Sequence, residues 1–336
     1  MRRESERELP RVAVVGCGRW GRNHVRNYAE LGALAGVVDA DASLAAEQAG
    51  RYGVPALPFE AALSDESIEG LVFALPPAQN LPLGSRALEA GKHLFVEKPL
   101  ALSVADGERL CEIARHHDRR LMVGHILQYH PAFAALAGLV REGRLGRLMS
   151  LVSTRLDLGA IRRQEDALWA LAPHDVSMVL ALSGAEPARV EAFGGYHTHP
   201  GIADTTTVAL SFADGATAEI RSSWLHPYKE QRLVVVGTEA MAVFDDRAPW
   251  DSKLVLYGYR ITETGGTALI ERSEPESIAV EQGEPLRLEC LHFLHSIRTG
   301  AVPRTDGHEG LRVLRVLEDA SRALRPGSPS NMAATR

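Results

Sequence analysis

Cysteine is scarce: the 336 residues hold three, Cys17, Cys111 and Cys290, too few and too far apart for a disulfide framework or a zinc knuckle. All three read as packing residues. No metal site is expected, since His197-Thr198-His199 has two imidazoles but no third ligand nearby. Positive charge is also short, with 37 Lys and Arg against 43 Asp and Glu, a net charge of -6 and a pI near 6.1. No general basic field exists to hold nucleic acid or an anionic lipid surface, so any anionic ligand must be gripped locally. No run approaches the ~18 apolar residues of a membrane span, and Met1-Arg2-Arg3-Glu4-Ser5-Glu6-Arg7-Glu8 lacks the apolar core of a signal peptide. A cytoplasmic protein is expected. What remains, 45% hydrophobic and 24% charged residues, suffices for a large core in about two domains.

From Leu9 to about Pro131, short β-branched runs alternate with helical patterns: Arg11 to Val15, Ala35 to Val38, Gly70 to Leu75, His93 to Val96 and Arg120 to Gly124. That alternation predicts a doubly wound parallel sheet with helices on both faces. After Arg147 the character changes to period-2 segments. Thr205 to Phe212 and Thr217 to Trp224 flank Asp214-Gly215, a hairpin signal; Arg232 to Gly237, Ala240 to Asp245 and Lys253 to Tyr257 continue the series. These predict an α+β domain with a large, mostly antiparallel sheet, one face open to water or to another subunit. Helices are expected over Asp166 to Leu182, capped by Gly184, over Leu286 to Thr299, ending at Gly300, and after Asp306. The expected boundaries are 9–125 and 126–326, with flexible tails at 1–8 and 327–336.

The strand Val12 to Val15 runs into Gly16-Cys17-Gly18-Arg19-Trp20-Gly21 and then a helical pattern, which gives GxGxxG its meaning. Gly16 permits the tight turn, Gly18 lets backbone approach a pyrophosphate, and Gly21 lets helix and strand lie close; the helix N-terminus offers N–H donors to the phosphates. A second strand ends at Asp39, 18 residues beyond Gly21. Its carboxylate can accept bonds from both hydroxyls of an adenosine ribose and would repel a 2′-phosphate. No Arg or Lys between Asp39 and Gly50 offsets that, so NAD is expected rather than NADP. The fourth strand ends in Glu97-Lys98-Pro99, which delivers Lys98 to the crevice at the strand C-termini.

These motifs, with Leu75-Pro76-Pro77 and Pro173-His174-Asp175 on the predicted second-domain helix, resemble the glucose-fructose oxidoreductase, inositol dehydrogenase and MocA family from Val12 to about Leu324. The resemblance implies a Rossmann NAD domain, a cis peptide before Pro99, Lys98 hydrogen-bonded to the reacting oxygen and His174 exchanging its proton. An imidazole with an ordinary pKa near ~6.5 suits that exchange, and the ammonium can stabilise an alkoxide. It further implies cofactor contacts from Arg19, Trp20, Leu75, Pro76, Asn80, Glu97, Lys98 and Gln128. Many family members carry an Asp four residues before this His; here the position is Ala170, which leaves a Lys-His pair with Asp175 as the candidate to orient it.

The stretches Gly16 to Glu30, Gly124 to Pro131, Arg155 to Gly159 and Leu168 to Met178 are similar to the sugar-nucleotide branch of that family. That likeness implies oxidation of the 3-hydroxyl of a UDP-linked N-acetylamino-uronate, and the exposed sheet expected in the second domain suggests a homodimer or homotetramer. Other family chemistries, on a cyclitol, free sugar or deoxysugar nucleotide, remain open, as does a non-catalytic NAD-binding regulator. Arginine grips diphosphates and carboxylates with fork geometry, so Arg155, Arg162 and Arg163 join Lys98, Gln128 and His174 as expected substrate contacts.

Overall fold

The computed structural model describes residues 9–264 and 266–324; the expected tails at 1–8 and 327–336 lie outside the described residues. The chain divides into two compact units. One holds residues 9–126 together with Glu284–Leu314, the other Leu127–Gly283 with 315–324.

In the first unit five strands, β1 (Val12–Val15), β2 (Leu34–Val38), β3 (Gly70–Phe73), β4 (His93–Glu97) and β5 (Leu121–Gly124), form a parallel sheet in the order β2-β1-β3-β4-β5. Between them run α1 (Gly21–Glu30), α2 (Ala42–Tyr52), α3 (Phe59–Ser64), α4 (Asn80–Glu89) and α5 (Val104–His116). Strands covered on both faces must be apolar at every position, and β1, β2, β3 and β5 are buried throughout. Helix starts are fixed locally: Asp41 and Ser103 accept backbone N–H groups of α2 and α5. The order reverses between β1 and β3, which places a ligand crevice outside their C-terminal ends.

The second unit contains α6 (Pro131–Arg141), β6 (Leu148–Leu158), α7 (Ala167–Ser183), β7 (Arg189–Gly195), β8 (Thr205–Ser211), β9 (Thr217–Ser223), β10 (Leu225–Gly237), β11 (Ala240–Asp245), β12 (Leu254–Thr264), β13 (Thr267–Arg272) and the short β14 (Glu276–Ser277). Their sheet runs β13-β12-β11-β10-β6-β9-β8-β7, with β14 on β12, and is antiparallel except for β6 with β9. Alternation is clear in β8 and β11, whose buried residues, such as Val208, Leu210, Ala242 and Phe244, face the core. Helix α7 lies on the sheet against β6, β8 and β9, with Asp166 capping its start and Gly184 in left-handed conformation at its end. Phe193 and Tyr228 are largely exposed on β7 and β10.

One boundary differs from expectation. Helix α8 (Pro285–Thr299) and the first turns of α9 (Gly307–Leu324) belong to the first unit, although they follow the second in sequence. The reason is packing. Phe293 meets Phe95 edge to face at 5.8 Å, Ile297 and Phe293 close over Gly70, and Leu311 and Leu314 close over Gly107. Asp306 caps α9 through the Glu309 N–H, as its position predicts. No helix among the described residues is long and apolar enough to cross a membrane.

Candidate active site

The glycine loop shows three distinct uses of a missing side chain. Gly16 has φ 97°, and a Cβ there would lie 2.5 Å from the Ala74 carbonyl oxygen at the end of β3. A Cβ on Gly21 would collide with the Gly16 carbonyl. Around Gly18 no protein atom comes within 4 Å of that position, so its open side is a place for a ligand to press against backbone.

Asp39 does more than the ribose role expected of it. Its Oδ2 accepts the Cys17 N–H at 2.6 Å and its Oδ1 the Asp41 N–H at 2.9 Å, so the carboxylate ties the glycine loop to the start of α2 while retaining lone pairs for hydroxyls. Burial first, and the Asp39 charge second, push the Cys17 thiol up to about 11, which keeps it a neutral packing group. An open Gly18, the helix N-terminus behind it and an acidic residue ending β2 together fit NAD.

At the end of β4 the Lys98–Pro99 peptide is cis, as the family resemblance implies. Lys98 and Glu97 are both partly accessible. Glu97 Oε1 accepts bonds from Trp20 Nε1, in the glycine loop, and from His24 Nε2, on α1, at 2.7 Å; Oε2 accepts the Lys98 N–H at 3.3 Å and lies over Gly124, where a Cβ would be 3.0 Å from it. Asn80 is buried, and its amide nitrogen donates to the Pro99 and Leu100 carbonyls at 3.2 and 3.1 Å. It therefore braces the turn after Lys98. Leu75 is half-buried, and Pro76 and Arg19 are exposed.

In the second unit His174 is half-buried on α7, directly after Pro173, a residue that cannot donate to the Trp169 carbonyl. Gln128 is buried and donates to Ser177 Oγ at 2.8 Å, one turn along α7 from His174. Asp175 is committed to other partners. Consecutive helical residues point about 100° apart, and this carboxylate, 1% exposed, is held by Ser153 Oγ at 2.7 Å and by Arg155 through Nε at 2.6 Å and Nη2 at 3.3 Å. Arg155 is thus paired within its own unit, and Arg162 is paired with Glu165. Arg163 is exposed and makes no ion pair among the described residues. Ala170 is buried in an apolar cluster with Ala167 and Trp224, beside Leu171, Ile202 and Leu225, one helical turn before His174 on α7.

His24 escaped the sequence reading, although Trp20, His24 and Tyr28 recur every four residues along one face of α1. The imidazoles of His197 and His199 form no metal cluster; among the described residues no three His, Cys, Asp or Glu side chains are grouped to hold an ion. Instead the His197 and Thr198 N–H groups donate to buried Asp204.

Comparison with known proteins bears on both units. The sequence model described as the oxidoreductase family, NAD-binding Rossmann fold, GFO_IDH_MocA, matches residues 10–125, and that of the GFO/IDH/MocA C-terminal domain matches 133–243. UDP-N-acetylglucosamine 3-dehydrogenase of Acidithiobacillus ferrooxidans is 28% identical over 305 residues, 90% of this chain and 94% of that enzyme. Inositol 2-dehydrogenase of Rhizobium meliloti is 26% identical over 328 residues, 94% and 96% of the two chains. The solved structure of the Acidithiobacillus enzyme superposes with a TM-score of 0.83 at 27% identity, covering 94% of this chain and 97% of that one. With the glycine loop, Asp39 and the Lys98 turn in place in the first unit, the chain belongs to the GFO/IDH/MocA oxidoreductases and is an enzyme of that family that takes NAD.

Proposed function

We propose that the enzyme oxidises the 3-hydroxyl of a UDP-linked 2-acetamido sugar to the 3-keto sugar. The observation that carries this reading is the likeness to UDP-N-acetylglucosamine 3-dehydrogenase, which runs through both units and nearly the full length of each chain. NAD held at the glycine loop and Asp39 would supply the acceptor for the hydride leaving carbon 3. Lys98 donates a hydrogen bond to the oxygen and stabilises the charge that develops as the C–H bond breaks, and His174 takes the hydroxyl proton. Gly16, Gly18, Gly21, Asp39, Arg19, Leu75, Pro76 and Glu97 hold the cofactor, with Trp20 acting through its bond to Glu97. Asn80 supports them through the Lys98 turn, and Gln128, bonded to Ser177, supports the helix that carries His174. With Arg155 and Arg162 paired internally, Arg163 is the candidate for a carboxylate at carbon 6, so the expected uronate depends on that residue. The protein works in the cytoplasm as a homodimer or homotetramer, a reading supported by the exposed Phe193 and Tyr228 on the strands of the second unit. A second reading, oxidation of a free cyclitol, is supported by the likeness to inositol 2-dehydrogenase.

The test is NADH formation by purified protein with NAD and UDP-N-acetylglucosamine, its uronate or myo-inositol, with a 2-keto acid in a parallel arm to reoxidise any NADH that stays bound. Turnover with a UDP sugar and none with inositol supports the proposal, and Lys98→Met and His174→Asn should each lower it by roughly a hundredfold or more. Turnover with inositol alone transfers the assignment to the cyclitol reading. Absence of turnover with every polyol refutes both.

A further inference from the structure

Glu97 gathers three corners of the first unit on one carboxylate. Trp20 reaches Oε1 from the glycine loop, His24 reaches the same oxygen from α1, and Oε2 rests over Gly124 at the end of β5 while accepting the N–H of Lys98. The surroundings make these bonds strong and selective. The His24 side chain is fully buried, its ring edge set against Phe95 at 5.1 Å and its Nδ1 3.9 Å from Cys290 Sγ on α8. Only 14% of the Glu97 side chain is exposed, so water competes little for its oxygens. The carboxyl of Glu289, also fully buried on α8, is pushed well above the usual carboxylate range, by burial first and by the Glu97 charge second. Both side-chain donors converge on Glu97.

We propose that Trp20 and His24 are positioning residues which act through one atom, Glu97 Oε1, to hold the Lys98 turn in register with the glycine loop. The fold alone does not require this. A buried imidazole satisfied by any nearby carbonyl would pack equally well, whereas this one reaches across to the residue preceding Lys98. Because both bonds end on one oxygen of one carboxylate, breaking either lets the carboxylate turn, and breaking the second adds little. The inference rests on the role proposed for Lys98.

The experiment is a double-mutant cycle of Trp20→Phe and His24→Leu, with His24→Gln as the rescue, since a glutamine amide nitrogen sits where Nε2 does and donates the same bond. Loss of a charge-assisted bond predicts that each single variant lowers kcat roughly tenfold or more, with the sugar KM changed less than about twofold. The double variant should fall no lower than the worse single, and His24→Gln should recover most of the loss. Melting curves identify a His24→Leu protein that has not folded, in which case Trp20→Phe, at an exposed site, and His24→Gln carry the comparison. Multiplicative losses in the double, a folded His24→Gln as poor as His24→Leu, or a Trp20→Phe enzyme equal to wild type would each overturn the inference. If the wild-type protein oxidises none of the sugars, the substrate reading fails by itself. The same cycle is then read in NAD affinity, where joint, non-additive loss supports the network and unchanged affinity refutes it.

Discussion

Replacing Gly18 with alanine separates what the glycine loop does for the fold from what it does for the cofactor. The backbone at Gly18 lies outside the left-handed region, and its Cβ would meet no protein atom within 4 Å. Alanine therefore fits, and by restricting the unfolded chain it should leave stability unchanged or raise it by up to about 1 kcal/mol. A pyrophosphate pressed against that backbone would meet the new methyl. Overpacking of one such group costs about 1–3 kcal/mol, which weakens NAD by roughly 5- to 150-fold. Gly21→Ala is the contrast, because its Cβ collides with the Gly16 carbonyl, a backbone atom that cannot swing aside. That variant should lose both cofactor and melting temperature. Titration calorimetry with NAD, paired with melting curves of the apoprotein, reads both quantities. A Gly18→Ala protein that binds NAD as wild type does would show that the phosphates do not lie where the loop is open.

Three further outcomes are expected. Arg155→Ala strands the Asp175 carboxylate, 1% exposed, without its cation and should cost about 3–5 kcal/mol in urea unfolding; an unchanged midpoint with a raised sugar KM would instead make Arg155 a substrate contact. Ala170→Asp places a carboxylate among Ala167, Trp224 and Ile202 and should destabilise by at least about 3 kcal/mol, so a stable and faster enzyme would show that position 170 can serve His174 after all. Burial, then neighbouring arginines, lowers His93 and His292 to about 4. Their folded pKa values lie below the ordinary 6.5, so the unfolded chain takes up more protons in between. The stability they contribute is complete above pH 6.5 and drains away as pH falls toward 4; urea midpoints from pH 7.5 to 5 should show the slope, and His93→Asn should flatten it.

Much of the molecule is legible in the sequence because the signals are local. Strand ends, the Asp166 and Asp306 helix starts and the Gly184 and Gly300 termini follow from residues within a turn of one another. The allocation of α8 was not legible. Its apolar stripe says that one face is buried but not against what, and Phe95 and Gly70 lie some two hundred residues earlier. Nor was the fate of the charged candidates: local sequence leaves Arg155 available for a substrate, whereas Asp175, on α7, binds it. Asn80 and His24 are polar residues inside helical patterns, which sequence alone assigns to a wet face as readily as to a buried turn.

By itself the sequence determined the cofactor loop and the chemistry at hand, because the missing Cβ atoms of Gly16 and Gly21, the acidic end of β2 and the Lys and His side chains are properties of single residues at fixed spacing. Only the tertiary structure decided which polar groups are already engaged. Hydrogen bonds such as those of Glu97 and Asp175 join residues far apart along the chain, and burial strengthens them by excluding water, so neither the partner nor its strength is written in any local stretch.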